Sequence, residues 1–463
     1  MFATFMKLLK SYLWIWLAIA SFVFAWNAQS FWIDECCMAM CALPDTFVDV
    51  WAQATDINGS DMQMACYLFL LHIWIKLSGA DSEMMLRLFN IVWVLLAAYF
   101  LRREPKVLIL LIISPFFLYY ANELRPYIMQ VAASCGVSMF LYEWSLGKKK
   151  SYTAGFGLLF LLCLTSLTSV VWAAGFFMAW ITLEGRNFWS KKMGKAFAYW
   201  SVAFIGLGCY YLYTLFIGAR ATNIPSSAVV NLGASAYELF GLTGLGPARS
   251  ELRLYTQLGD NFELSALLLP ILCGMVVISL LLCGLYAWRK KTSNVILVTL
   301  VALFIFPIAV FVYGAEVMNF RFSGRHFAPI LPLICIVISM GIKWCRHKPY
   351  QTILSSIFVI TWLASDVYIR FDDTYAREDY KGAIEYCQNR KTRGENVLLL
   401  CNPEGKKYYG WQDYMPLDNW QNCQSIVVSR PADFKETIES IEHSGTYQKR
   451  ELCPSFWVYE PKL

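Results

Sequence analysis

Apolar runs of the length needed to carry a helix across a hydrocarbon layer, roughly 20 residues, recur along this chain from one end almost to the other. They lie at 8–28, 83–101, 106–121, 126–143, 152–182, 196–218, 264–288, 293–313, 326–343 and 350–367. The 152–182 run is long enough for two helices and predicts a break near Thr168, which gives about eleven crossings by this length criterion. With 58% of its 463 residues hydrophobic and only 16% charged, the chain has the membrane as its solvent. Aromatic residues collect where helices meet headgroups, and 18 Trp, 26 Tyr and 32 Phe fit many crossings. The first run follows Lys7 and Lys10 as a signal sequence would, yet no small-residue cleavage site follows it, so it is read as the first transmembrane helix.

Orientation follows from the positive residues, which are retained on the cytoplasmic side of short loops. Clusters stand at Arg102, Arg103 and Lys106; at 148–150; at Arg186, Lys191, Lys192 and Lys195; at 289–291; and at 343–348. Placing all of them with Lys7 and Lys10 in the cytoplasm leaves the segments 29–82, 121–126, 219–262 and 314–325 outside, together with everything after 367. The net charge of +6 is spread over these clusters, so it reads as topology and excludes nucleic acid as a partner. The segment CYLFLLHIWIKL at 66–77 is too short to span and carries His72 and Lys76; counting it as a crossing would invert every later loop, and it is read as an interfacial helix.

The expected fold is therefore an all-α polytopic membrane protein over 1–367, with an acidic first external loop at 29–82, followed by a small extracytoplasmic α/β domain over 368–463. In that domain AREDYKGAIEYCQNR has helical spacing, while ENVLLLC, SIVVS and FWVY read as strands. Cys387, Cys401, Cys423 and Cys453 all fall there, and their spacing leaves two disulfides or four reduced thiols equally open. The other cysteines lack CxxC pairs or His spacing, which argues against a zinc module.

Charged residues close to hydrocarbon are costly and usually functional or paired. Asp34 and Glu35 stand just beyond the first helix in FWIDECCMAM; a carboxylate at that level suits the proton acceptor of a sugar transfer, or simply marks the chain's exit from the bilayer. The same loop carries Asp45, Asp49, Asp56 and Asp61 with no Lys or Arg before Lys76, so it offers oxygen ligands to a divalent cation or is a solvated acidic loop. In SPFFLYYANELRPY, Glu123 and Arg125 interrupt two apolar runs; Arg125 suits a phosphate or pairs with Glu123. Arg321 and Arg325 in NFRFSGRHFAP, and Arg87 in SEMMLRLFN, place positive charge on the side that the topology rule disfavours. A phosphate headgroup from the outer leaflet would explain them, as would headgroup snorkelling.

The order of these motifs resembles the GT-C superfamily of membrane glycosyltransferases, in the branch of lipid A aminoarabinose transferase and the bacterial relatives of protein O-mannosyltransferases. The likeness covers residues 1–130 best and extends to GRHFAPILPL and AREDYKGAIEY. Asp34 and Glu35 match that family's acidic pair, which implies Asp34 as catalytic base. Asp61 and Arg87 match a second signature, although Gln63, Met64 and Ala65 stand where the family has His-Pro-Pro. The Glu-x-Arg-Pro-Tyr ending implies that Glu123, Arg125 and Tyr127 line the donor site, and Arg325 resembles an arginine near the lipid phosphate. The resemblance implies an inverting transfer from a polyprenyl-phosphate-linked sugar to an unidentified acceptor at the extracytoplasmic face of a bacterial inner membrane. No cofactor is required on this reading, and Asp61 is the candidate ligand should a divalent metal take part. Two rivals stay open: a flippase for lipid-linked sugars, and a polysaccharide polymerase or ligase using a lipid-diphosphate donor, which Arg220, Arg249 and Arg253 in 219–262 keep alive.

Overall fold

The computed structural model describes residues 2–462 apart from 58, 149–150, 186–187, 189, 219–226, 250, 253–263, 346–348, 414–415 and 430. Arg220 and Arg253 lie outside the described residues. Each apolar run becomes helix, because in hydrocarbon every backbone N–H and C=O has to be satisfied within its own segment. In chain order the membrane region contains α1 (Phe2–Ala25), then α2 (Ile33–Ala42), α3 (Phe47–Ile57) and α4 (Ala65–Ser78). These are followed by α5 (Glu83–Leu101), α6 (Pro105–Ile112), α7 (Pro115–Ala121), α8 (Tyr127–Ser145), α9 (Tyr152–Cys163), α10 (Leu167–Glu184) and α11 (Lys191–Phe216). After α12 (Ala228–Leu239) come α13 (Leu268–Lys291), α14 (Val295–Met318), α15 (Gly324–Trp344) and α16 (Pro349–Phe371). Among the described residues 7 helices are long and apolar enough to cross a membrane alone, with shorter apolar helices at Tyr12–Ala25 and Tyr152–Cys163.

Two boundaries differ from the sequence reading. The 106–121 run is one stretch by hydropathy but two helices in space, because Pro115 forces Ser114 into an extended conformation (ψ 125°) between α6 and α7. The break in 152–182 falls at 164–166, before Thr168, where Ser166 caps α10 by accepting from the Ser169 N–H. The 66–77 segment forms α4, a 14-residue helix packed on α2 and α3; at about 1.5 Å per residue it is too short to span.

Glycines set the closest helix contacts. A Cβ on Gly284 of α13 would lie 2.0 Å from the Val337 carbonyl of α15, and one on Gly341 of α15 would lie 2.2 Å from the Leu280 carbonyl of α13. Pro307 within α14 has no N–H to offer the Leu303 carbonyl, and Gly175 of α10 sits where a Cβ would come 2.3 Å from that same oxygen. Small residues that let backbones approach are the usual adhesive of helices in lipid.

The C-terminal region folds as expected into an α/β layer. It comprises α17 (Tyr380–Thr392), β1 (Val397–Leu400), α18 (Pro403–Tyr408), β2 (Ser425–Ser429), α19 (Lys435–Ser444), β3 (Tyr447–Cys453) and β4 (Phe456–Pro461). The 4-stranded sheet has the order β1-β2-β4-β3, with β1 and β2 parallel and the other pairs antiparallel. Alternate residues of the strands divide between two helices: Leu399, Val427 and Val458 pack on α17, whereas Leu398, Ile426 and Val428 pack on α19. Ile33 of α2 joins the α17 side, and the Phe31 N–H donates to the Tyr409 hydroxyl (2.8 Å), so the sheet layer is seated on the first loop. Cys387, Cys401, Cys423 and Cys453 are unpaired thiols; Cys387 and Cys401 lie on the α17 side and Cys423 on the α19 side.

Candidate active site

Asp34, Glu35, Asp61, Arg87, Glu123, Arg125 and Arg325 gather at one end of the bundle, where 29–82, 121–126, the start of α15 and the segment after α16 meet. The turn at 121–126 is held by asparagines on neighbouring segments. Asn90 donates to the Ala121 and Glu123 carbonyls (3.1 and 2.6 Å), and Asn27 and Asn122 exchange hydrogen bonds (2.6 and 3.1 Å). Pro126 then opens α8, which begins with Tyr127.

Beneath the surface lies a closed ion network. Glu35 and Arg87 are both wholly buried and pair at 2.7 Å; Arg377 pairs with Glu35 at 3.2 Å and with Glu123 at 3.4 Å. The Leu124 N–H also donates to Glu35 (2.8 Å), and Arg87 donates to the Gln29 and Ser30 carbonyls. Burial works to raise the Glu35 carboxyl, but the Arg87 and Arg377 guanidiniums outweigh it and hold it below the usual carboxylate range. Burial raises the Glu123 carboxyl, with Arg377 opposing and Glu35 reinforcing the rise. Arg87 and Glu35, both read as candidate site residues, thus spend their charges on each other inside the fold.

Above this network the arrangement is more open. Asp34 and Arg325 pair at 2.8 Å, with their side chains 27% and 28% exposed. The Arg325 guanidinium stands 5.7 Å from the Trp32 ring and 5.8 Å from the Tyr127 ring, within cation–π range. Arg125 pairs with Asp61 and donates to the Asp34 carbonyl (3.2 Å). Of the two roles open to Arg125, the pairing with Glu123 is therefore replaced by one with Asp61, because the 121–126 turn sends Glu123 to Arg377. Burial raises the Asp61 carboxyl, with Arg125 opposing. Arg321 is half-buried on the same loop as Arg325. The Nε atoms of Arg125, Arg249 and Arg325, the Trp32 indole nitrogen and the Glu123 Oε1 are buried without a hydrogen-bond partner, an arrangement that needs explaining in a folded protein.

Asp61 commits its carboxylate to Arg125, and among the described residues no three His, Cys, Asp or Glu side chains come together as a cation site.

Sequence reasoning missed Arg377 and Glu238 and noted Arg249 only as a loop charge. Arg249 pairs with Glu238 at 3.0 Å and lies 3.9 Å from the Tyr119 ring, which has Arg377 4.4 Å away. The available signal for Arg377 was its place: it is an arginine six residues beyond the last span, in a segment that the charge rule assigns to the side poor in positive residues.

Helices α1 to α16 with a charged end capped by an α/β layer define a polytopic membrane protein whose ionisable site lies where the bundle meets its covering loop. The chain is similar to the crystal structure of ArnT from Cupriavidus metallidurans in the apo state, at 10% identity and a TM-score of 0.50, over 99% of this chain and 98% of that one. AftD, an arabinofuranosyltransferase from Mycobacteria, is matched at 13% identity and a TM-score of 0.42, over 98% of this chain and 40% of that one. The likeness to ArnT over nearly the whole of both chains shows that this chain shares the fold of that structure. No family model and no curated protein matches the sequence.

Proposed function

We propose that this protein is an inverting membrane glycosyltransferase that moves a hexosyl or pentosyl group from a polyprenyl-phosphate donor to an acceptor at the extracytoplasmic face of a bacterial inner membrane. The observation that carries the reading is the partly open Asp34–Arg325 pair, set on a fold shared with ArnT. A phosphate reaching this point competes with Asp34 for Arg325, whose Nε has no hydrogen-bond partner among the described residues. Weakening of the Asp34–Arg325 pair by that phosphate makes the Asp34 carboxylate a better proton acceptor.

Asp34 takes the proton of the acceptor hydroxyl or amine; the acceptor atom bonds to the anomeric carbon, and the bond from that carbon to the phosphate oxygen breaks on the opposite face. The phosphate leaves with the electron pair, and Arg325 and Arg125 stabilise the charge that develops on it. Glu35, Arg87 and Arg377 act as positioning residues, because their network fixes the start of α2 against the 121–126 turn. The transfer as proposed requires no nucleotide cofactor.

The test reconstitutes the purified protein in liposomes with polyprenyl-phosphate donors labelled in the sugar, and follows both the label's attachment and its side of the bilayer. Label passing to endogenous membrane acceptors is the expected result. Label that crosses the bilayer still attached to its lipid would replace the enzyme with a flippase.

A further inference from the structure

A buried group of uncharged polar side chains adjoins the Asp34–Arg325 pair and is used by none of the steps above. Gln130 lies one helical turn beyond Tyr127 on α8 and is wholly buried. Its Nε2 donates to the Ser166 hydroxyl (2.9 Å), while its Oε1 has no partner. Exchanging the amide's O and N would still leave one of its polar atoms unmatched. Ser166 and Ser169, both buried, share a 3.0 Å hydrogen bond, and Ser169 receives a second from Thr165 (2.8 Å). One turn along α10 the Trp172 indole N–H donates to the His326 carbonyl (2.7 Å). His326 follows Arg325, which closes the circuit over Tyr127 back to Gln130.

The circuit therefore has a charged side at Arg325 and a neutral hydroxyl-and-amide side at Gln130 and Ser166. An unpaired buried amide atom is destabilising, and within a bundle of apolar helices that cost is met when a ligand supplies the missing partner. The group it would take is uncharged and carries hydroxyls, since neutral donors and acceptors match hydroxyl groups where a cation or anion would need a counter-charge. We propose that Gln130, with Ser166 and Ser169, forms the subsite that holds the hydroxyls of the donor's sugar, next to the arginines that hold its phosphate. This rests on the glycosyltransferase reading and deepens it by separating residues that recognise the sugar from residues that recognise the lipid phosphate.

The test measures binding of bare polyprenyl phosphate and of its glucosyl, mannosyl and arabinosyl derivatives to the protein in nanodiscs. It compares the wild type with Gln130→Met, which keeps the side chain's size, and with Ser166→Ala. Both variants are expected to weaken the tightest sugar-bearing lipid by about 10- to 100-fold while leaving the bare lipid within about twofold, whereas Arg325→Ala weakens all four. Equal losses on bare and sugar-bearing lipid, no loss on either, or a wild type that binds the sugar-bearing lipids no better than the bare one would overturn the subsite. A wild type that binds none of the lipids would remove the donor reading itself, an outcome distinct from those three.

Discussion

At the residue scale, Asp34 and Glu35 are neighbours with opposite fates. Asp34 keeps about a quarter of its surface and pairs with the partly solvated Arg325, while Glu35 is enclosed with two arginines and a backbone donor. The burial of Glu35 was not legible in the sequence, where only the resemblance sets Asp34 apart from its neighbour; it depends on Arg377, which arrives from 342 residues downstream. Removing one partner from a buried pair leaves an uncompensated charge, so Glu35→Gln is expected to destabilise the protein by about 3–5 kcal/mol near neutral pH, read as a lowered thermal midpoint in detergent. The folded pKa of Glu35 lies below its unfolded value. Its stabilisation is therefore present above the ordinary glutamate range and lost as pH falls through the depressed value. The gap between wild type and Glu35→Gln should close as pH is lowered through that window, and a gap independent of pH would contradict the charged network. For Arg325→Ala the expected outcome is a loss of donor binding with little change in the melting midpoint, since its pair with Asp34 is partly solvated; a collapse of the fold would assign Arg325 a structural role instead.

At the scale of elements, apolar length placed the helices well, because the periodic demand for about 20 residues per crossing is strong. The sequence also showed where Pro115 stood, although hydropathy alone ran the two helices on either side of it together. Strand β3 escaped notice because Gln448, Lys449, Arg450 and Glu451 give it no apolar alternation; it is a charged edge, as exposed edges commonly are. Helix contacts built on glycine are invisible to composition, since Gly284 and Gly341 matter only through the carbonyls they face. Gly284→Leu is expected to separate α13 from α15, with a fall in thermal midpoint well beyond that of Gly194→Leu, where nothing lies within 4 Å of the added Cβ. Equal effects of the two substitutions would count against this packing.

At the scale of the whole molecule, the α/β layer is part of the site's construction. The Tyr409 hydroxyl accepts from the Phe31 N–H (2.8 Å), and Arg377 completes the Glu35–Glu123 network. A chain ending at residue 371 should therefore lose stability through its membrane helices, a result checked by its melting midpoint or protease resistance in detergent; an unchanged midpoint would mean that the layer is merely tethered. The membrane helices and the charged motifs around Asp34, Arg125 and Arg325 could be read from the sequence because each leaves a local mark: an apolar run or a short motif. The pairing of those charges could not, since each partner comes from a different segment.

The most direct measurement is the single-turnover rate of sugar transfer by Asp34→Asn, alongside the wild type, in liposomes saturated with a labelled polyprenyl-phosphate sugar that the wild type uses. The expected result is a rate lower by about 100- to 10,000-fold with donor binding retained. Transfer by Asp34→Asn at a rate close to that of the wild type would remove Asp34 as the base and, with it, the mechanism proposed for this site.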